Sequence, residues 1–268
     1  MTQAAVSYQL KLLEDRLGGP LFLRGTRGVT LKETGRQLAP SITDAFAQLR
    51  GAFAQLRQSA GNILSVTSLT TFATNWLVPR LGSFQLAYPG IAVRLDASNT
   101  MVDFTREDID IGIRSGSGTW PGLVSHGLFL AAYTPMLSPS LLEKYGPLDQ
   151  PADLLDLPLI DPTDDWWPSW FASAGIPAPD LSDRTGIRVQ NQQLAGRAAM
   201  AGQGVAILMP AFFLEELASG RLLQPFPIVK DSPESHYWLV YPEARQRSPK
   251  IRAFRDWILS EVEATRSG

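Results

Sequence analysis

Gln3, Ser7, Gln9 and Lys11 are spaced along one stretch and have the side-chain types that read nucleic-acid bases. Amides pair with adenine edges and lysine with guanine or phosphate. Thr2 stands just ahead of them as a helix-capping hydroxyl, and Arg24 and Arg27 follow in a glycine-flanked basic tip suited to phosphate or the minor groove. Any solvated helix carries such residues, so the chemistry alone points to DNA only moderately. A second group, Ser68-Leu69-Thr70-Thr71-Phe72, places hydroxyls where a strand gives way to a helix. Free N–H groups there suit an anionic ligand, with Arg114 as a nearby cation, although an ordinary helix cap explains the hydroxyls equally well.

Other chemistries find little support. Cysteine is absent, which removes disulfides, thiolate catalysis and thiolate metal sites, and the two histidines, His126 and His236, are far apart in sequence. No metal or cofactor is expected. No Gly-x-Ser-x-Gly elbow, Walker loop or His-Glu-x-x-His occurs, and Gly202-Gln203-Gly204 follows a helix and precedes a strand, the reverse of a dinucleotide fingerprint. The carboxylates Asp103, Glu107, Asp108 and Asp110 read as solvated or structural, Arg114-Ser115-Gly116-Ser117-Gly118 as a flexible loop rather than an anion cradle, and Trp166, Trp167 and Trp170 as local core. With no convergent nucleophile and base, an enzyme ranks last. The hydrophobic runs are too short to span a membrane and no secretory signal is visible, so a cytoplasmic protein is expected.

These groups must be positioned by elements that the sequence also outlines. The net charge is −2, but residues 1–60 carry eight Lys or Arg against four Asp or Glu, a +4 arm on a −6 body. Apolar spacing predicts a helix over 2–17, ended by Gly18-Gly19-Pro20, then a hairpin over 21–31. Thr30 and Glu33 suggest a capping box that opens a helix running unbroken to about residue 59. On it Ile42, Ala45, Leu49, Ala52 and Leu56 form a short coiled-coil seam, flanked by Phe46 and Phe53, although an ordinary amphipathic helix is the alternative. Beyond residue 62 strands are expected at 63–68, 91–96, 109–114, 157–160, 187–190, 205–209 and 237–241. Helices are expected at 74–88, 101–107, 192–201, 212–218 and 249–263. The alternation predicts parallel sheets in two α/β lobes with a ligand between them.

The run Thr2 to Glu14, followed by Leu17-Gly18, Leu21-Phe22, Arg24, Arg27, Leu31, Thr34 and Gly35, resembles the recognition helix and wing of LysR-type regulators. Trp76-Leu77-Val78-Pro79-Arg80-Leu81 and Asp108 to Arg114 are similar to the branch containing glycine-cleavage activators and β-lactamase regulators. The resemblance implies a partial winged helix-turn-helix over 1–32, a linker and dimerisation helix over 33–60, and a bilobal periplasmic-binding-protein-like effector domain over 61–268. Within that domain lobe I would comprise 61–131 and 243–268, and lobe II 132–242. Family members carry a further helix upstream, so an earlier start is expected; otherwise the chain would be a stand-alone small-molecule-binding protein. Also by resemblance, Thr71, Asp103 and Tyr237 align with residues that line or control the effector cleft, and Asn191 and Gln192 fall where that branch has a ligand-facing serine. The missing serine implies a different effector. The implied partners are promoter DNA, a small and first of all anionic effector, and a second copy of the chain as dimer or tetramer.

Overall fold

The computed structural model describes residues 3–25, 28–58, 63–100 and 102–267, and the chain divides into two compact units, Met1–Gly61 and Asn62–Gly268. Thr2 and Arg27 lie outside the described residues, as do the side chains of Gln3, Arg24 and residues 51–60, which include Ala52, Phe53 and Leu56.

In the first unit α1 (Gln3–Leu17) ends where Gly18 adopts φ 71° and the Gly19 N–H returns to the Glu14 carbonyl. Strands β1 (Phe22–Gly25) and β2 (Gly28–Leu31) make the hairpin. The Glu14 carboxylate fastens α1 to it, accepting from Leu21 N at 2.7 Å and Phe22 N at 3.3 Å. Leu21 is buried, and its carbonyl lies where a Cβ on Gly35 would stand, so close approach requires glycine there. The long helix α2 runs over Glu33–Gln58 and accommodates Pro40 within it. The expected capping box is not its start: Thr30 pairs with Leu23 in the hairpin, and Glu33 instead bonds Arg36 and Gln37.

The second unit is built on one six-stranded sheet of order β4-β3-β5-β8-β6-β7, formed by β3 (Ile63–Ser68), β4 (Ala92–Ala97), β5 (Ile111–Gly116), β6 (Leu123–Met136), β7 (Ala206–Leu208) and β8 (Lys230–Pro242). Only β3–β4 and β3–β5 are parallel; the remaining pairs are antiparallel, which corrects the all-parallel expectation. The cause is β6, a 14-residue strand unforeseen from sequence, which runs against β8 for most of its length. Both strands pass through the two halves of the domain. Residues 236–240 of β8 pair with β5 in the first half, whereas 230–232 lie beside the end of β6 that carries β7. The crossing in β8 thus falls within 232–236, where the register jumps, ahead of the expected 242/243 division.

Between β3 and β4 the chain turns through a π-helical stretch, Phe72–Leu77, a 3-10 turn, Val78–Arg80, and α3 (Leu81–Ala87). The second half adds α4 (Pro139–Tyr145), α5 (Trp166–Ser173), α6 (Gln192–Met200) and α7 (Leu214–Ala218), and α8 (Pro249–Ser267) closes the first. Three expected elements are not formed. Residues 102–107 make turns, because Asp103 accepts from both the N–H and the hydroxyl of Thr105 and so offers the backbone an alternative to helix. Of 157–160 only Leu159 bridges to Val205, and 187–190 is extended without a ladder. The core joins the halves through aromatic rings: Phe72 meets Trp76 at 4.9 Å and Phe212 at 5.7 Å, and Phe212 meets Tyr237 at 5.0 Å.

Candidate ligand-binding cleft

A cavity of about 280 Å³ opens between the halves of the second unit. From the first half come Leu69 and Thr71 after β3, Asn99 after β4, Ser115 in β5, and Ser235 and Tyr237 in β8. The second half contributes Ile160, Asp161, Asp164 and Trp166 from the segment entering α5, Val189 to Gln192 at the start of α6, and Ile207 in β7.

One hydrogen bond joins the two halves beside the cavity. The Thr71 hydroxyl oxygen accepts from the backbone N–H of Gln193 at 3.0 Å, tying the segment after β3 to the first turn of α6. Asn191 caps that helix by accepting from Leu194 N at 3.0 Å, and Gln192 Oε1 accepts from Met209 N at 2.8 Å. The Gln193 and Leu194 amides in the first turn of α6 are therefore satisfied by the protein itself. Burial pushes the Tyr237 hydroxyl up to about 12, so it remains a protonated donor at neutral pH. Asp164 lies above the usual carboxylate range because it is desolvated, with the negative charges of Asp161 and Asp165 adding to the effect and the Trp166 N–H opposing it. Trp166 stacks on Tyr133 with ring centroids 4.2 Å apart.

Thr71, Asn191, Gln192 and Tyr237 are thus brought together, whereas four other expected residues are not in the lining. Ser68 is fully buried with its hydroxyl on the Leu69 carbonyl. The N–H and hydroxyl of Thr70 both go to Asn99 Oδ1. Asp103 sits on an exposed turn, paired with Arg106 and held below its usual range chiefly by the Thr105 hydroxyl. Arg114 spends its guanidinium on Thr67 Oγ1 and the carbonyls of Ser98, Ile113 and Thr100, and burial lowers its pKa. No lysine, arginine or histidine lines the cavity among the described residues, so the expected anionic ligand finds no side-chain cation there. Asn99, Asp161, Asp164 and Ser235 carried no sequence signal, and Ser115 only that of the glycine segment after Arg114, since each stands on a loop or strand whose pairing partner is distant in the chain. Trp167 and Trp170 are core as expected, but Trp166 faces the cavity. The glycine segment after Arg114 is packed and not an open cradle: Trp238 Nε1 donates to the Gly116 carbonyl at 2.8 Å, and Gly118, at φ 86°, lies against the same ring.

Comparison with known proteins agrees with this architecture. Residues 57–263 match the LysR substrate binding domain, and residues 1–36 match the bacterial regulatory helix-turn-helix protein, lysR family. The chain belongs to the LysR family. This LysR-type transcriptional regulator thus has a helix-turn-helix DNA-binding part and an effector-binding domain. It is 38% identical over 266 residues to the glycine cleavage system transcriptional activator of Escherichia coli K12, covering 98% of this chain and 86% of that protein. Identity to the transcriptional activator AmpR of Citrobacter koseri is 35% over 261 residues, covering 97% and 88% respectively. The effector domain of AmpR from Pseudomonas aeruginosa superimposes with a TM-score of 0.68 at 35% identity, covering 76% of this chain and 98% of that one. CrgA from Neisseria meningitidis, at 23% identity and a TM-score of 0.63 over 98% of this chain and 90% of that one, shares the fold. In this LysR-type regulator the exposed positions of α1 include Gln9 and Lys11, while Ser7 is half-buried. Among the described residues no helix is long and apolar enough to cross a membrane.

Proposed function

We propose that this regulator works in the cytoplasm as a dimer whose affinity for promoter DNA is set by a small molecule held in the cleft of residues 62–268. The single observation that carries the reading is the Thr71 to Gln193 hydrogen bond, because it links the two halves at the cavity itself. A ligand that replaces or reinforces that bond binds one arrangement of the halves better than the other, and only such a difference shifts an equilibrium. Typical coupling is ~1–3 kcal/mol, a change of roughly 5- to 150-fold in DNA affinity. The DNA contacts are assigned to Thr2, Gln3, Ser7, Gln9, Lys11, Arg24 and Arg27. Pairing of two copies is assigned to α2, where Ile42, Phe46 and Leu49 stay exposed within the first unit.

The test is promoter binding by the full chain with and without a bacterial metabolite extract, at fixed salt. An extract-dependent affinity that disappears in Thr71→Val supports the reading. DNA binding indifferent to every extract fraction refutes effector control, and no DNA binding at all favours a stand-alone ligand-binding protein.

A further inference from the structure

We propose that the effector of this cleft carries a protonated nitrogen, ammonium or guanidinium, held by Asp161 and Asp164, and an accepting oxygen that meets Thr71, Asn191 and Tyr237. The inference rests on reading the cleft as the effector site, and deepens it by naming the ligand's chemistry. Two carboxylates line the cavity three residues apart, and no cationic side chain among the described residues lines it with them. Their known partners are neutral: Asp161 Oδ1 accepts from the Thr163 hydroxyl at 3.2 Å, and Asp164 Oδ1 from Trp166 N at 2.9 Å. A carboxylate offers about four acceptor positions, so each has capacity left for a donor. Burial first, and then its acidic neighbours, push the Asp164 carboxyl up, so a cation bound beside it would favour its charged form.

An anion is disfavoured on both sides of the cavity. It would meet like charge at Asp161 and Asp164, and the Gln193 and Leu194 N–H groups in the first turn of α6 are already taken by Thr71 and Asn191. What those side chains retain is donor capacity. Asn191 and Gln192 have their carbonyl oxygens engaged and their NH₂ groups left, and the hydroxyls of Thr71 and Tyr237 keep their protons to donate. One part of the lining therefore accepts and carries charge, and the other donates and is neutral. A molecule with a basic nitrogen and a carbonyl, hydroxyl or carboxylate oxygen within a cavity of about 280 Å³ matches both.

The experiment uses the full chain and the low-molecular-weight pool of a bacterial extract, divided on a cation-exchange resin at acid pH, which holds every compound with a basic nitrogen. Each fraction is incubated with the protein, and what it retains is read by native mass spectrometry. The expected result is retention from the resin-bound fraction, weakened on the order of tenfold or more in Asp161→Asn and in Asp164→Asn. Asparagine tolerates the φ of 49° at Asp161 and keeps the oxygen that caps Trp166 N at Asp164, so both variants retain the fold. A ligand found only in the flow-through, or equal retention by the asparagine variants, overturns the inference and leaves the effector reading standing. Retention from neither fraction overturns both.

Discussion

Thr71→Val isolates the hydroxyl that ties the halves of the effector domain. Valine has nearly the same shape, and Thr71 is 4% exposed, so the principal loss is the oxygen that accepts from Gln193 N at 3.0 Å. Losing a neutral hydrogen bond costs about 1 kcal/mol, and leaving its buried N–H without a partner brings the total to about 1–3 kcal/mol. For a domain of this size, each kcal/mol lowers Tm by about 2–4 °C, so the calorimetric transition of the 62–268 unit should fall by about 2–12 °C. Thr71→Ser keeps an oxygen at the same position and should recover most of that loss. The variant should also respond less to effector, since the bond that ligand binding would exchange no longer exists. If Thr71→Val melts with the wild type and Thr71→Ser does the same, the bond contributes nothing and the proposed coupling has no physical carrier.

Four further outcomes are expected. Lys250→Met removes the ammonium 2.6 Å from the buried Asp110 carboxylate, leaving Arg245 at 3.8 Å as its nearest cation, and should lower stability by about 3–5 kcal/mol in denaturant titration. An unchanged midpoint would mean that Arg245 alone balances the charge. His126 lies below its ordinary value, through burial first and then the charge of Arg255, so the unfolded chain takes up that proton before the folded one. Its contribution is complete above about pH 6.5 and declines as pH falls from there toward the folded value; His126→Gln should flatten this part of the stability profile, and an unaltered slope counts against it. Leu49→Glu puts a charge on the exposed apolar stripe of α2 and should produce smaller species in sedimentation, whereas unchanged mass would count against the proposed pairing through α2. Lys11→Ala should weaken binding to all DNA sequences and reduce the salt slope by about 0.9 if it meets a phosphate; an unchanged slope removes Lys11 from the interface.

Elements whose signal is local were legible in the sequence. Ile63 to Ser68 is a strand over the expected residues, α1 stops at the expected glycines, and α6 starts at Gln192 as its spacing predicts. Elements defined by distant partners were not. In β6 the period-2 pattern breaks because the register against β8 shifts between Gly127 and Phe129 and again between Leu130 and Ala131, with partners some hundred residues away. The parallel-sheet expectation failed for the same reason, since an unseen antiparallel strand cannot enter a count of alternating elements. The misread helix near Asp103 shows the opposite failure, in which a two-residue hydrogen bond to Thr105 outweighs a helical pattern.

The cleft divides along the same line. Thr71 is marked both by its hydroxyl at a strand end and by resemblance, and Asn191, Gln192 and Tyr237 by resemblance alone, which carries spatial information that a single sequence lacks; all four converge on the cavity. Arg114 was picked for its charge, and the fold instead uses that charge to gather Thr67, Ser98 and Thr100 around the end of β5. That substitution of roles reverses the electrostatics of the site. With the arginine committed to carbonyls, the charge left at the cavity is that of Asp161 and Asp164, neither of which follows a recognisable motif. A cation near a strand end suits an anionic ligand, whereas an arginine already committed to carbonyls leaves two carboxylates that suit a cationic one. The difference lies wholly in which polar groups the backbone has already claimed.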